Sequence, residues 1–247
     1  MIGALMMIGA AVAATPGGFR VGPSAPVSEV ALKQVLVMNP GETWLTQSTV
    51  AGRAAVGERL LFDFGLPVAY LWEPDTDWWD LGLGQVKLGT HVHFTKKPGR
   101  YHQIGLELYV PLMVDGLRVE GWGSLARETL PGGTGLFVWE TTWTDPLTGP
   151  LTLRLSAGLW GSEHFDFFVP IVPSLELAMA KVFHITEEFS AVAEFEVITD
   201  WTPVSARALG RYEEAGFAMD LGVQIPVTEY TTRLETFQLI AQVRQRF

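Results

Sequence analysis

From residue 29 onward, apolar and polar side chains take turns at every second position, which is the period of a β-strand with one oily and one polar face. In Arg59 to Trp72, the residues Phe62, Phe64, Leu66, Val68, Tyr70 and Trp72 fall on one side, and Asp63, Gly65, Pro67 and Ala69 on the other. Val86, Leu88, Val92 and Phe94 likewise oppose Lys87, Gly89, His91 and His93, while Ile104, Leu106, Leu108 and Val110 oppose Gly105, Glu107 and Tyr109. The pattern continues with Leu153, Leu155 and Leu159 against Arg154, Ser156 and Gly158, and with Phe189, Ala193, Phe195 and Val197 against Ser190, Glu194 and Glu196. It ends with Phe217, Met219, Leu221 and Val223 against Asp220, Gly222 and Gln224, then Leu239, Ala241, Val243 and Phe247 against Gln238, Gln242, Arg244 and Arg246.

Read this way, the chain predicts twelve strands: Glu29 to Met38, Thr43 to Ala55, Arg59 to Trp72, Gln85 to Thr95, Tyr101 to Met113, Gly135 to Thr144, Leu151 to Gly161, Ser174 to Ile185, Phe189 to Thr199, Val204 to Arg211, Ala215 to Val227 and Arg233 to Phe247. Connections after even-numbered strands are short. Those after odd-numbered strands include the long ones, Glu73 to Gly84, Val114 to Thr134 and Ser162 to Pro173. Short turns on one side and long loops on the other, with both chain ends on the short-turn side, are the habit of bacterial outer-membrane barrels, and they require an even strand count. That parity is what argues for the weakly patterned strand Val204 to Arg211. A soluble sandwich would show the same alternation. Against it, Trp44, Tyr70, Trp72, Trp139, Trp143 and Phe247 fall toward strand ends, where the aromatic girdles at membrane interfaces belong. The expected fold is therefore all-β, a closed antiparallel up-and-down transmembrane barrel of about 12 strands.

Composition sharpens this. The chain is 48% hydrophobic with no cysteine, and its mean hydropathy is +0.21. Yet its longest nearly charge-free apolar run, Met1 to Ala14, is shorter than the roughly 20 residues a spanning helix needs. That run has the look of a secretory signal's apolar region, with small residues Val12-Ala13-Ala14 before Thr15-Pro16. The expected organisation is a signal peptide over 1–14, an N-terminal periplasmic segment over 15–28 and the barrel over 29–247. With 27 acidic against 17 basic residues, the formal charge of −10 disfavours nucleic acid as a partner. Absent thiols exclude disulfides, thiolate metal sites and cysteine nucleophiles.

The polar face supplies the candidate chemistry. Asp63, Lys87, His91, His93, Glu107, Arg154, Glu176, Glu194, Glu196, Asp220, Arg244 and Arg246 are expected to line the lumen, six acids facing four bases beside two histidines. Such near balance predicts no strong ion selectivity. If the flanking hairpins are symmetric, Asp63 lies beside His93 and Glu107 near Gly89, a cluster of the types that bind metals or act as general bases. No serine is paired with it and no further ligand stands out, so the expectation is lumen hydrogen bonds and ion pairs, with no catalytic residues, no metal and no cofactor. Ser162-Glu163-His164 has hydrolase residue types, but neighbours in sequence do not make a triad, whose geometry is spatial. Trp78 and Trp79 with Asp75, Asp77 and Asp80 make an acidic aromatic loop suited to interface anchoring or to a mouth for apolar or cationic solutes.

The ending Leu239-Ile240-Ala241-Gln242-Val243-Arg244-Gln245-Arg246-Phe247 resembles the C-terminal signature read by the outer-membrane barrel assembly machinery. Phe64-Gly65-Leu66-Pro67-Val68, the run Leu81 to Gly89 and the segment Gly105 to Leu112 are similar to the outer-membrane transporter family named for the MetA pathway of phenol degradation, across most of the chain. That family usually carries Asp where this chain has Gln85, and its name is not extended here to a substrate. The resemblance implies a bacterial (Gram-negative) outer-membrane channel or transporter with a narrow lumen passing small molecules, apolar ones included. The implied partners are outer-membrane lipid, the assembly machinery and a small solute. A barrel enzyme acting on lipid and a closed structural or adhesive barrel are the alternatives, separable by conductance and by hydrolytic activity.

Overall fold

The alternation folds as strands throughout a computed structural model that describes residues 26–38, 44–73, 78–83, 85–97, 99–111, 134–144, 149–161, 171–198, 205–227 and 237–247. The strands are β1 (Glu29–Met38), β2 (Trp44–Val56), β3 (Leu60–Glu73), β4 (Trp78–Leu83), β5 (Gln85–Lys97), β6 (Arg100–Pro111) and β7 (Thr134–Trp143), followed by β8 (Leu151–Gly161), β9 (Ile171–His184), β10 (Phe189–Ile198), β11 (Ser205–Glu214), β12 (Phe217–Pro226) and β13 (Phe237–Arg246). Among the described residues no helix is long and apolar enough to cross a membrane. The expected signal and periplasmic segments over residues 1–25, most of the loops after Pro111 and Gly161, Ser162-Glu163-His164, and Asp75 and Asp77 lie outside the described residues.

Every neighbouring pair is antiparallel, and the first and last strands pair with each other along Glu29↔Arg246 to Met38↔Phe237, so the sheet closes on itself. Twelve strands form the ring, because β4 and β5 occupy one place between them: β4 pairs with the upper half of β3 (Val68↔Leu83) and β5 with the lower half (Gly65↔Lys87). The register slips by one residue between the two halves. The segment expected as an acidic aromatic loop, Glu73 to Gly84, is thus in part strand, with Trp78 to Leu83 continuing the wall beside Val68 to Glu73. The strand required by parity, β11, is present, paired on both edges.

Carried around the twelve ladders, a level row such as Glu29, Arg53, Asp63, Gly89 and Glu107 returns to β1 displaced by about 14 residues, which sets a strand tilt of about 40° and a backbone radius of about 12 Å. Short turns follow β2, β5, β9 and β11. The last of these turns on Ala215 and Gly216, both with positive φ (47° and 84°), the backbone twist that a two-residue hairpin needs.

Alternation becomes inside and outside. Phe62, Leu88, Leu106, Leu155, Leu177, Met219 and Leu221 are exposed on the outer surface, while their chain neighbours Asp63, Lys87, Glu107, Arg154, Glu176 and Asp220 are buried within. This inverts a soluble sandwich, whose oily face would be the hidden one. At the long-loop end Trp44 pairs with Trp72, and Tyr70 with Thr46. At the short-turn end the guanidinium of Arg100 lies 5.9 Å from the Trp143 ring centroid, a cation–π contact, and Phe247 projects freely. Trp139 stands in the interior of β7, opposite Ile104 and Leu155, away from either end.

Candidate functional site

The inner wall is built by pairing register. Arg53 and Asp63 are direct partners across the β2–β3 ladder, so the guanidinium meets the carboxylate in a two-pronged bond, Nε donating to Oδ1 at 2.7 Å and Nη2 to Oδ2 at 2.9 Å. The next row partners are Gly89 and then Glu107. With no side chain at Gly89, Asp63 and Glu107 converge on the imidazole of His91, whose Nε2 lies 3.2 Å from Asp63 Oδ2 and 3.6 Å from Glu107 Oε1. Glu107 also accepts from Lys87 Nζ (2.9 Å), Arg154 Nη2 (2.8 Å) and Tyr109 OH (3.2 Å). The symmetric-hairpin expectation is corrected here. Asp63 reaches His91, not His93, and His93 packs its ring 5.7 Å from that of Tyr101.

Glycine makes the imidazole's berth. Gly105 faces His91 across the β5–β6 ladder, and a Cβ added there would lie 2.1 Å from His91 Nδ1 and 2.5 Å from the Thr90 carbonyl oxygen. Moving the histidine relieves only the first clash. Gly105→Ala is therefore expected to destabilise the barrel by about 1–3 kcal/mol, the range for overpacking, with His91→Ala in the same chain restoring only part of it; urea unfolding in detergent reads both.

Asp63, His91 and Glu107 each bring a possible metal ligand within 4.8 Å of the others. The donor set nonetheless does not suit a metal, because Asp63 gives both oxygens to Arg53 and Glu107 divides its own among Lys87, Arg154 and Tyr109. A divalent cation entering there would meet three cations already in place. Among the described contacts no hydroxyl addresses His91, as the nucleophile of a triad would have to.

A second ion cluster occupies the short-turn end of β11 to β13 and β1. Asp220 is shared by two guanidiniums, accepting from Arg211 Nε (2.7 Å) and Nη2 (3.3 Å) and from Arg244 Nη2 (2.8 Å). Arg246 pairs with Glu213 and lies 3.6 Å from Glu29. Glu29 in turn faces Arg53 across the β1–β2 ladder, so the two clusters abut. Higher on the wall Arg207 binds Glu194 (3.0 Å) and Gln224, and Ser156 donates to Glu176 (2.6 Å). Eleven of the twelve residues expected to face inward are described with their side chains, ten fully buried and Arg246 partly so; the side chain of Glu196 lies outside the described residues.

Glu29, Lys33, Arg53, Glu140, Arg207 and Arg211 are buried inward as well, although the sequence reading did not single them out. With them the fully buried acidic and basic side chains among the described residues number seven of each, a closer balance than the six acids and four bases expected. The chain's −10 thus belongs elsewhere than these groups. A signal for Arg53 was available: Gln47, Thr49 and Arg53 share one parity in β2. Part of the wall is apolar, for Ala178, Ala180, Val182, Val192 and Leu209 on β9, β10 and β11 face inward as one buried patch.

A closed twelve-stranded antiparallel barrel, oily outside and charge-paired inside, has the architecture of the porin-like barrels. Among solved structures it is similar to the NanC porin (TM-score 0.59, 7% identity, covering 89% of this chain and 100% of that one). It is also similar to the KdgM porin, solved in complex with disordered oligogalacturonate (TM-score 0.50, 10% identity, covering 89% and 99%). At these identities the likeness is one of fold. No protein-family model matches the chain, and no curated protein matches it.

Proposed function

We propose that this chain is a bacterial outer-membrane channel whose narrow lumen passes small molecules, with residues 1–14 acting as its export signal and 15–28 as a periplasmic lead-in. One observation carries the reading: a closed barrel that exposes its leucines and phenylalanines outward and, among the described residues, hides seven acids and seven bases within. Such a surface is stable only with hydrocarbon around it, since a lipid solvent rewards exposed apolar side chains and closure leaves no unpaired strand edge. Asp63, Lys87, His91, His93, Glu107, Arg154, Glu176, Glu194, Asp220, Arg244 and Arg246 are the residues a solute would meet. The C-terminal strand with Phe247 supports delivery by the barrel assembly machinery, and the motifs shared with the MetA-pathway family fit a transporter without choosing its solute.

The test is conductance. Purified barrel in planar lipid bilayers should give small, discrete steps, with a reversal potential near zero in a potassium chloride gradient because the buried acids and bases of the described wall balance. Baseline current from barrel shown to be folded by its heat-dependent gel mobility would overturn the channel reading.

A further inference from the structure

We infer that the inner wall of β9 to β13 is a binding site for a small amphipathic monoanion, a carboxylate carrying a short apolar chain. The inference deepens the channel reading and rests on it in one respect, that solutes reach this wall. Two independent features meet here. The first is electrostatic: Asp220 serves both Arg211 and Arg244, so two guanidiniums share one carboxylate, while Arg246 pairs with Glu213 and lies 3.6 Å from Glu29, beyond hydrogen-bond reach. Arg211 Nη1 is buried and has no hydrogen-bond partner among the described residues. Buried donors of this kind call for an acceptor, and a guanidinium fork is the donor geometry that fits a carboxylate.

The second feature is apolar. Leu209 stands two residues along β11 from Arg211, on the same inward face, and Val192 faces it across the β10–β11 ladder. Ala178, Ala180 and Val182 extend the same surface along β9. Above Val192 and Leu209 lies the Arg207, Glu194 and Gln224 cluster, with Ala180 level with Glu194, and below them lie Arg211, Asp220 and Arg244. An apolar row at Val182, Val192 and Leu209 with charged groups on either side of it suits neither a simple salt ion nor a fully apolar solute. It suits a molecule with one ionised end: the carboxylate takes the open guanidinium hydrogen of Arg211, and its alkyl chain lies on Val192, Leu209 and Val182.

The experiment is calorimetric titration of the folded full-length barrel in detergent with hexanoate, acetate and hexan-1-ol, subtracting titrations into protein-free micelles. Hexanoate is expected to bind at least about tenfold more tightly than acetate, since each buried methylene adds to affinity, and more tightly than the uncharged alcohol. Arg211→Gln should weaken hexanoate by about tenfold. Leu209→Ser, which leaves every named ion pair intact, should weaken hexanoate while leaving acetate unchanged, and keeps the test decisive if the arginine variant does not fold. Equal binding of hexanoate and acetate, or hexanoate binding unmoved by Leu209→Ser in folded protein, overturns the inference. The two readings fail separately: conductance without hexanoate binding removes the site and keeps the channel, whereas hexanoate binding with silent bilayers keeps the site and removes the channel.

Discussion

Replacing Glu107 with glutamine will cost the barrel about 3–5 kcal/mol, the range for removing one partner of a buried ion pair. The carboxylate accepts from Lys87, Arg154 and Tyr109 at once and sits 3.6 Å from His91. An amide of the same shape can still accept at one atom, but it cancels neither cation, and both stay buried by the surrounding wall. Adding Lys87→Met to the same chain should recover part of the loss, because it removes one uncompensated charge along with its partner. Urea titrations of the three proteins in detergent, followed by near-ultraviolet circular dichroism, give the comparison. A loss below about 1 kcal/mol for Glu107→Gln, the level of an exposed pair, would mean that water reaches this cluster freely.

The second large effect lies on the opposite face of the same strand. Leu106 is 54% exposed in the middle of β6, between Thr90 and Phe137 on the neighbouring strands. In water, arginine there would be nearly neutral, within about 0.5 kcal/mol. In a bilayer, a lipid-facing arginine at mid-depth costs about 2–4 kcal/mol, falling toward zero at the interface. Leu106→Arg is therefore expected to lower folding yield into lipid vesicles severely, while Leu60→Arg at the first position of β3 is expected to change it little. Equal tolerance at both positions would place the outer face in water and undo the membrane reading.

Alternation made most of this fold legible, because a side-chain period of two reports which face each residue takes once closure is assumed. Parity then identified β11, whose run Ser205-Ala206-Arg207-Ala208-Leu209-Gly210-Arg211 carries little hydrophobic contrast. Register was less accessible. Asp63 was expected beside His93, yet the ladder pairs it with Gly89, with Leu60 set against Val92. A shift of four residues, being even, alters no inside or outside assignment, which is why the pattern is silent about it. The extent of wall in β4 was hidden for a related reason: a slip of one residue breaks the alternation at Leu83 and makes strand look like loop. The missed arginines share a cause. Arg53, Arg207 and Arg211 lie in β2 and β11, where Thr46, Ser48, Gly52 and Ala54, and Ala206, Ala208 and Gly210, take most of the positions opposite in parity and leave the polar face with little oily contrast.

The ladder joining β1 to β13 unites segments roughly 200 residues apart. Loop-closure entropy grows only with the logarithm of length, so this seam adds little to the equilibrium cost of folding. Its consequence is kinetic. Contacts so distant in sequence form slowly, and until they form, both Glu29–Met38 and Phe237–Arg246 carry a bare edge able to pair with another chain. The final strand therefore works as a latch: β2 through β12 can zip from hairpin to neighbouring hairpin, but the sheet stays sticky until the latch engages. Speed of closure, more than depth of the energy well, then decides how many molecules of this protein reach the barrel form before they find one another.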